Sequence, residues 1–368
     1  MNSRERYIRA ITFAEPDRIP VMHRTIPGAF RRHGGKLEAL YGRYPGDVLL
    51  SPSTRAWFAF KRGVAESSGA LHGVTDEWGC VWDSLNDDYL GQVFGHPLDD
   101  WGNFPGFKCP EPTVGIEGVH EMVEAVKADR HQHYCLIEVG TLWHLTNWLR
   151  GFENSLVDVV EDCPEMYALR DRITDFLVKR VEILLRHREQ IDGILVNDDW
   201  GTQETLMIRP EYWRKVYKPA YAKIVAAIKA GDCFAHLHTD GVTDAIMEDL
   251  IEIGFDELNP QMSCMDIESV GHRFGGRVCF RADMDRQYVL PFGTPADVAA
   301  LVERLYNAFG TKNGGYIGYG QINTDVPIEN AEAMLVAFAR LTYPAAGKAP
   351  AREGRNTLPR RIPRLPNA

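Results

Sequence analysis

The sequence lacks long apolar runs and has no excess of positive charge. No stretch approaches the roughly 18 to 20 uninterrupted apolar residues of a membrane-spanning helix, and the amino-terminal residues show no signal-peptide core. The net charge of −10 argues against a nucleic-acid partner, because neutralising phosphates needs a concentrated excess of Lys and Arg. We therefore expect a cytoplasmic protein, with neither membrane nor nucleic acid as a partner, that acts on a small molecule or binds another protein.

Paired cysteines are also missing. The chain has seven cysteines, scattered without a C-x-x-C pair, and an odd number cannot close into a full set of disulfides. We expect reduced thiols, most of them buried packing residues.

Strand-length apolar runs alternate with helical segments from about residue 132 onward. One run near the amino terminus and six later ones are of this kind, at 18–24, 134–140, 192–198, 233–239, 256–261, 277–283 and 314–322. Steady alternation of strand and helix predicts parallel pairing, because a parallel crossover needs a connection of helix length. A further strand in the first 130 residues would make eight.

The helices between these runs have readable ends. In 294–310, Thr294 is a candidate N-cap, Pro295 stands at the first helical position and Gly310 is a candidate stop. The segment 243–254 ends on Gly254 in the same way. No G-x-G-x-x-G follows a strand and opens a helix, which argues against an open doubly wound sheet. The sequence therefore predicts an α/β protein with a single (β/α)8 TIM barrel over residues 1–345.

Two segments stand outside this pattern. Residues 72–112 are rich in Trp, Gly and Asp with poor helical periodicity, so we expect an inserted group of hairpins and loops that could cover one mouth of the barrel. Residues 346–368 are rich in Pro and Arg with few core formers. They predict a flexible basic tail.

In a parallel barrel the reactive groups come from the carboxyl ends of the strands. Polar residues collect there in both charge signs. They are His23, Arg24, Glu138, Asn197, Asp198, Asp199, His236, His238, Asp240, Asn259, Gln261, Arg281, Asp283, Tyr319 and Gln321.

The stretch CFAHLHTDG (233–241) is the most informative of these ends. Strand alternation turns His236, His238 and Asp240 toward one face, which we assign to the barrel lumen. Imidazole and carboxylate are ligands of zinc and similar ions, and alternate positions on a strand bring them to one centre. A metal-free acid–base role and a purely structural role stay open, because an inward histidine is often a satisfied core residue.

Other candidates are assigned by residue type. Asp198 and Asp199 face opposite ways on a strand, so one of them is a candidate general base or orienting carboxylate while the other caps a segment or meets water. Glu138 is a third candidate catalytic carboxylate. Arg281 needs either a partner such as Asp283 or an anionic substrate. The candidate substrate-binding residues are His23, Arg24, Trp143, Asn259, Arg281, Tyr319 and Gln321.

Several motifs together resemble the uroporphyrinogen decarboxylase superfamily. They are PDRIPV (16–21), TDEWGCVW (75–82), LRGFENSLVDVVEDCPEM (149–166), NDDWGTQETLMIRPEYWRKVYKPAY (197–221), HTDGVTDAIMEDLIEIGFDELNPQ (238–261), DMDRQYVLPFGTPADV (283–298) and GGYIGYGQINTDVPIENAEAM (314–334). The resemblance implies a single (β/α)8 barrel. It also implies one of two activities, since the superfamily includes metal-free decarboxylases and zinc-dependent methyltransferases linked to corrinoids.

The chain departs from both patterns. True decarboxylases carry an MRQAGRY-type segment after the first strand, where this chain has MHRTIPGAFRRHGG (22–35). Thiol-directed methyltransferases carry H-x-C and a later cysteine. His238 falls on the histidine, Asp240 on the first cysteine and Gly320 near the second. Loss of both thiolates favours oxygen- or nitrogen-methyl substrates over a thiol.

The leading hypothesis is therefore a zinc-assisted methyltransferase that demethylates a small O- or N-methyl substrate, such as a methoxylated aromatic. His238 and Asp240 would bind the zinc, with His236 or another rim carboxylate, and a corrinoid on a separate protein would take the methyl group. The alternatives are a metal-independent decarboxylase of a small carboxylic acid and a non-catalytic binding protein. Family resemblance also leads us to expect a homodimer.

Overall fold

The computed structural model describes residues 1–50, 72–83, 91–113, 119–310 and 313–342. Along this part of the chain the strands are β1 (Val21–Thr25), β2 (Val48–Leu50), β3 (His72–Thr75), β4 (Val81–Asp83), β5 (Gln92–Gly95), β6 (Tyr134–Gly140), β7 (Gly193–Asn197), β8 (Phe234–Thr239), β9 (Glu257–Pro260), β10 (Cys279–Phe280) and β11 (Gly318–Ile322).

The α-helices lie between and after these strands. They are α1 (Ser3–Ile11), α2 (Pro27–His33), α3 (Gly35–Arg43), α4 (Val119–Ala128), α5 (Trp143–Arg150), α6 (Phe152–Val160), α7 (Pro164–Leu184), α8 (Pro210–Val216), α9 (Lys218–Lys229), α10 (Met247–Ile253), α11 (Ile267–Phe274), α12 (Val289–Phe292), α13 (Pro295–Phe309) and α14 (Ile328–Arg340).

Eight of the strands are parallel. Six of them form one curled sheet in the order β10-β9-β8-β7-β6-β2, and β1 pairs with β11. Parallel bridges from Phe280 to Tyr316 and from Asp283 to Tyr319 link β10 to β11. The Asp47 N–H donates to the Val21 carbonyl and ties β2 to β1. This arrangement is consistent with the predicted (β/α)8 barrel, and β2 is the strand expected in the first 130 residues.

Apolar side chains divide between an outer layer and the lumen. The outer cluster packs the strands against the helices, and a smaller inner cluster fills the lower lumen. Helix α1 lies at the amino-terminal ends of the strands, where Tyr7 stacks on Tyr134 at 4.1 Å between ring centroids and donates a 2.7 Å hydrogen bond to Glu257. Tyr7 is fully buried, so α1 forms a floor under the lumen.

Helix ends follow the signals read from the sequence. The Thr294 side chain accepts from the Asp297 N–H, and the Asp297 carboxylate accepts from the Thr294 N–H in return, which makes a capping box at the start of α13. The segment 243–254 begins with a 3₁₀ turn and continues as α10. Gly254 ends it with a φ of +104°, a conformation that only glycine adopts freely.

Strand bounds agree closely for β6, which spans the predicted 134–140, and least for β10. The run 277–283 forms only a two-residue strand. Beyond Phe280, single contacts such as the hydrogen bond from the Arg281 N–H to the Leu258 carbonyl replace a continuous ladder. The polar residues after β10 therefore stand on irregular backbone.

The segment 72–112 contains an antiparallel sheet of β3, β4 and β5 followed by a 3₁₀ helix (Trp101–Gly106). It packs against α5, where the Leu98 N–H donates to the Leu149 carbonyl and Arg150 donates to the Leu98 carbonyl. Its role as a cover over the barrel mouth stays a prediction. The tail at 346–368 lies outside the described residues.

All seven cysteines are free, and Cys80, Cys135, Cys233 and Cys279 are buried, as the scattered pattern predicted. Among the described helices, none combines the length and apolar character that crossing a bilayer requires.

Candidate active site

The carboxyl ends of β7 and β8 bring together the densest group of ligand-type side chains. His238 Nε2 lies 3.6 Å from Asp199 Oδ1 and 3.5 Å from Asp240 Oδ1. One ligand atom from each of the three residues falls within 4.8 Å of the others. Asp240 Oδ1 is buried and makes no hydrogen bond to any residue that the structure describes. Three atoms with lone pairs thus converge, as in a cation site.

Two glycines allow the loops after β7 and β8 to approach each other. A Cβ on Gly241 would lie 2.2 Å from the main chain of Gly201, and Gly241 has a φ of +80°, so a side chain is excluded on both grounds. Main-chain hydrogen bonds join the same loops: Gly201 N–H donates to the Asp240 carbonyl at 3.0 Å, and Asp240 N–H donates to Asp199 Oδ1 at 2.9 Å. This contact positions the two carboxylates.

Two basic side chains flank the carboxylates. Arg286 forms an ion pair with Asp240 Oδ2, and its Nε lies 3.6 Å from Asp283 Oδ2. His144 Nε2 lies 3.4 Å from Asp199 Oδ2. Burial alone would lower the pKa of His144, but the Asp199 charge raises it to about 9. Burial opposes ionisation of Asp199 too, yet His144 outweighs it and holds the pKa of Asp199 below its usual range.

Two further carboxyl groups are buried in the lumen. Burial raises the pKa of Glu138 to about 7 against the opposing charge of Arg24, and Asn197 donates to Glu138 at 3.3 Å. Burial also raises the pKa of Asp283 to about 7, opposed by Arg286. Asp283 is 3% exposed, and neither of its oxygens has a hydrogen-bond partner within the described parts of the chain. Carboxyls with pKa values near neutrality suit proton transfer.

Asp198 has a different task from its neighbour Asp199. It is fully buried, and it accepts hydrogen bonds from the main-chain N–H groups of residues 142 to 144 at the start of α5, at 2.9 to 3.0 Å. Tyr221 donates a further one at 2.6 Å. Asp198 therefore caps α5, a helix that precedes it in the chain, and Asp199 faces the site.

Arg281 is paired inside the barrel. Its Nε donates to Glu257 Oε1 at 2.6 Å, so its ion-pair partner is Glu257 and not the expected Asp283. The guanidinium carbon lies 5.0 Å from the centre of the Tyr319 ring. Burial alone would raise the pKa of Glu257. The charges of His236 and Arg281 outweigh burial and lower this pKa to about 2. Arg281 is therefore paired through Nε with Glu257, while its Nη2 makes no hydrogen bond to any described residue.

His236 does not join the metal-ligand candidates. It faces the lumen as strand alternation predicts, but one layer deeper, where Nε2 bonds to the Tyr134 hydroxyl at 2.7 Å. Its Nδ1 lies 3.2 Å from Glu257. Its ring therefore lies in the floor of the lumen, because His236 precedes His238 by two residues, roughly 6.6 Å along β8.

Of the expected substrate-binding residues, His23 and Trp143 face away from the lumen. His23 stacks on Tyr41 of α3 at 4.2 Å, because odd positions of β1 point to the helices. Trp143 is buried against Trp200, with ring centres 4.5 Å apart. A side chain at Gly320 would likewise meet Met334 of α14. A second thiolate at that position would not reach the lumen.

Arg24, Gln321, Asn259 and Tyr319 do reach the lumen. Arg24 Nε donates to Gln321 Oε1 at 3.1 Å, and Arg24 forms no ion pair with the residues whose placement is described. Asn259 lies behind His238, with Oδ1 2.7 Å from Nδ1 of the ring. About half of the expected substrate-binding residues thus lie in the lumen, at the end of the barrel that carries His238.

Sequence reasoning missed His144 and Arg286. His144 lies on α5 and Arg286 six residues beyond β10, so neither occupies a strand end. Because the candidates were taken from strand ends, neither residue was among them. The sequence does place Arg286 close to a strand end, in DMDR (283–286).

Comparison with known proteins identifies the family of the chain. The family model of uroporphyrinogen decarboxylase (URO-D) matches residues 92–341. No curated protein sequence matches the chain. Among solved structures, a methyltransferase from Methanosarcina mazei is similar, with a TM-score of 0.65 and 16% sequence identity over 92% of this chain and 98% of that chain. Such low identity indicates a shared fold. Because the family model covers most of the chain, and the motifs named above point the same way, the protein belongs to the uroporphyrinogen decarboxylase family.

Proposed function

We propose that the protein is a metal-assisted methyltransferase that takes a methyl group from a small O- or N-methyl substrate and passes it to a corrinoid on a separate protein. The observation that carries the proposal is the convergence of Asp199, His238 and Asp240. Family membership supports a methyltransferase or decarboxylase type of reaction, and a structural neighbour is named a methyltransferase.

The donor set fits zinc. One imidazole nitrogen and two carboxylate oxygens are ligands that catalytic zinc sites use, and Asp240 Oδ1 has no hydrogen bond among the described residues. Two acceptor oxygens around a ring nitrogen are an unfavourable arrangement unless a cation or proton lies between them. Asp199 replaces His236 as the third candidate ligand.

The chain's own residues prepare this centre. Arg286 holds one oxygen of Asp240 and leaves the other directed inward, and His144 keeps Asp199 ionised. A zinc ion bound by the three residues would supply Lewis acidity toward the leaving oxygen or nitrogen. Asp283 and Glu138, with pKa values of about 7, can supply or take up the proton that the leaving group needs.

Metal analysis together with one pair of histidine variants tests the proposal. Purified protein is expected to contain near-stoichiometric zinc and to methylate free cob(I)alamin from methoxylated aromatics or methylamines. His238→Ala is expected to lose both properties, while the exposed His272→Ala retains them. Absence of zinc, combined with full activity of His238→Ala, would contradict the proposal.

A second candidate is a metal-independent decarboxylase of a small carboxylic acid. The specific observation in its favour is Arg24, a cation at the lumen whose side chain hydrogen-bonds to the neutral Gln321 amide and forms no ion pair within the described chain. Arg24 would bind the substrate carboxylate and a carboxyl such as Asp283 would protonate the product. The test uses wild-type protein and Arg24→Gln, both freed of metal by a chelator. Release of carbon dioxide from a small carboxylic acid by the wild type, and its loss in Arg24→Gln, would favour decarboxylation over methyl transfer. A homodimer and a cytoplasmic location stay predictions.

A further inference from the structure

The imidazole of His238 is held from behind by one buried side chain. His238 Nδ1 lies 2.7 Å from Asn259 Oδ1, and Asn259 is 1% exposed. The Nδ2 of the same amide donates a 2.5 Å hydrogen bond to the main-chain oxygen of Arg281. An amide that donates through nitrogen on one side presents its carbonyl oxygen on the other. The orientation of the Asn259 side chain is thereby fixed.

That orientation determines the His238 tautomer. A carbonyl oxygen can only accept, so Nδ1 carries the hydrogen, and in the neutral ring Nε2 then carries the lone pair. Nε2 is the atom that faces Asp199 and Asp240, at 3.6 and 3.5 Å. The carboxylates alone would favour the opposite tautomer, because each could accept from an Nε2–H.

The backbone that anchors Asn259 is itself held on two sides. The Arg281 N–H donates to the Leu258 carbonyl at 2.9 Å, and the Arg281 guanidinium pairs with the buried Glu257 at 2.6 Å. The carbonyl that receives the Asn259 N–H therefore has a fixed position. The lumen floor and the candidate site are joined through this one amide.

We propose that Asn259 is a positioning residue that locks His238 in the Nδ1–H tautomer and so presents Nε2 as a ready metal ligand. This role takes the place of the substrate contact expected for Asn259. It rests on the proposed function only for the use made of Nε2, since the tautomer is set by the protein alone.

Two substitutions of Asn259 separate the tautomer from general stability. In Asn259→Leu the acceptor for Nδ1 is lost, so the ring is expected to change to Nε2–H and donate to Asp199 or Asp240. In Asn259→Asp a carboxylate oxygen still accepts from Nδ1, which restores the original tautomer. Asn330→Leu is the matched control, because Asn330 is equally buried and donates to the carbonyls of residues 290 and 293, away from His238.

The tautomer can be read directly by long-range proton–nitrogen correlation spectra of metal-free, full-length protein with isotope-labelled histidine. Spectra recorded at about pH 8, above the ordinary pKa of histidine, are expected to show His238 as Nδ1–H in the wild type, Asn259→Asp and Asn330→Leu. Asn259→Leu is expected to show Nε2–H. The His238 signals are identified by their absence from His238→Gln.

Cobalt binding provides the second measurement. Visible absorption during a Co²⁺ titration is expected to show about 10- to 100-fold weaker binding in Asn259→Leu, the usual effect of losing a residue that orients a metal-binding histidine. An Nε2–H signal in the wild type or an unchanged tautomer in Asn259→Leu would overturn the inference, and so would measurable cobalt binding of equal affinity in both proteins. If the tautomer changes as expected while wild-type protein binds no cobalt, the tautomer lock stands and the metal-assisted function fails.

Discussion

Asp198 and Asp199 are adjacent in sequence but differ in what each side chain does. Asp198→Ala removes the acceptor of three main-chain N–H groups and of the Tyr221 hydroxyl. It is expected to lower the free energy of unfolding by about 3–5 kcal/mol, since buried donors are left unpaired. Asp199→Ala is expected to cost less, about 1–2 kcal/mol, because it removes the acceptor of one main-chain N–H and the partner of His144, while abolishing Co²⁺ binding. Chemical denaturation and metal titration of both variants check this, and equal losses of stability would contradict the division.

Glu138 and Asp283 should make stability fall as pH rises. Their carboxyls bind protons more tightly in the folded state, with pKa values of about 7 against ordinary values of 4.5 and 3.8. Between these values the folded chain holds more protons than the unfolded chain, so raising the pH through this window favours unfolding. The contribution is at most about 1.4 kcal/mol per pH unit for each group.

The variants Glu138→Gln and Asp283→Asn remove the titrating groups and are expected to flatten this slope. Denaturant midpoints of metal-free protein, measured from pH about 4 to about 8 to span the titration window, give the comparison. Glu332→Gln, on the surface, serves as the control that keeps the slope. Variants that keep the wild-type slope would show that neither carboxyl changes its protonation within the window.

The contact between the loops after β7 and β8 depends on Gly201 as well as Gly241. A Cβ on Gly201 would lie 2.3 Å from the Val242 main chain, so Gly201→Ala must push the loops apart. We expect a loss of about 1–3 kcal/mol in unfolding free energy and at least tenfold weaker Co²⁺ binding, because Asp199 and Asp240 are carried by these loops. Gly35→Ala is the control, since a Cβ there meets open space. Unchanged cobalt affinity in Gly201→Ala would show that the contact between the two loops does not position Asp199 and Asp240 for metal binding.

Helices and strands were predicted well where local chemistry sets their ends. Thr294, Gly310 and Gly254 mark helix ends through caps and backbone conformation, which depend on few neighbours. Strand β10 was predicted too long because Arg281 and Asp283 continue an alternating pattern while their backbone leaves the ladder. Alternation records which face a residue takes and not how far the hydrogen bonding extends.

The floor of the lumen ties distant parts of the chain into one unit. Tyr7 of α1, Glu257 of β9 and Arg281 beyond β10 meet there. Glu257→Gln leaves the Arg281 charge buried without its counterion, and we expect a loss of about 3–5 kcal/mol. The exposed pair of Arg43 and Glu332 is the control: Glu332→Gln should cost below about 1 kcal/mol. Urea denaturation of both variants measures the two losses of unfolding free energy. Similar losses would mean that the buried pair contributes no more to stability than the surface pair.

The candidate site was predictable in part. His238 and Asp240 followed from strand ends and alternation, because a parallel barrel turns such residues to one mouth, whereas alternation did not choose between Asp198 and Asp199. His236 could not be separated from His238 by alternation, since both face inward and only depth distinguishes them. His144 and Arg286 reach the carboxylates from a helix and a loop. Such contacts depend on tertiary placement that no local pattern records.

The floor formed by α1 has a kinetic consequence. Tyr7 is buried in the floor at the amino-terminal end of the part of the barrel that the structure describes, so we expect substrate to enter the lumen at the end that carries Asp199, His238 and Asp240. Under the proposed reaction, substrate and methyl acceptor must share that entrance, and the acceptor arrives on a second protein that covers it. Substrate must then enter before the partner docks, and the demethylated product leaves only after undocking. Compulsory-order kinetics, with inhibition by excess partner protein, are the expected result.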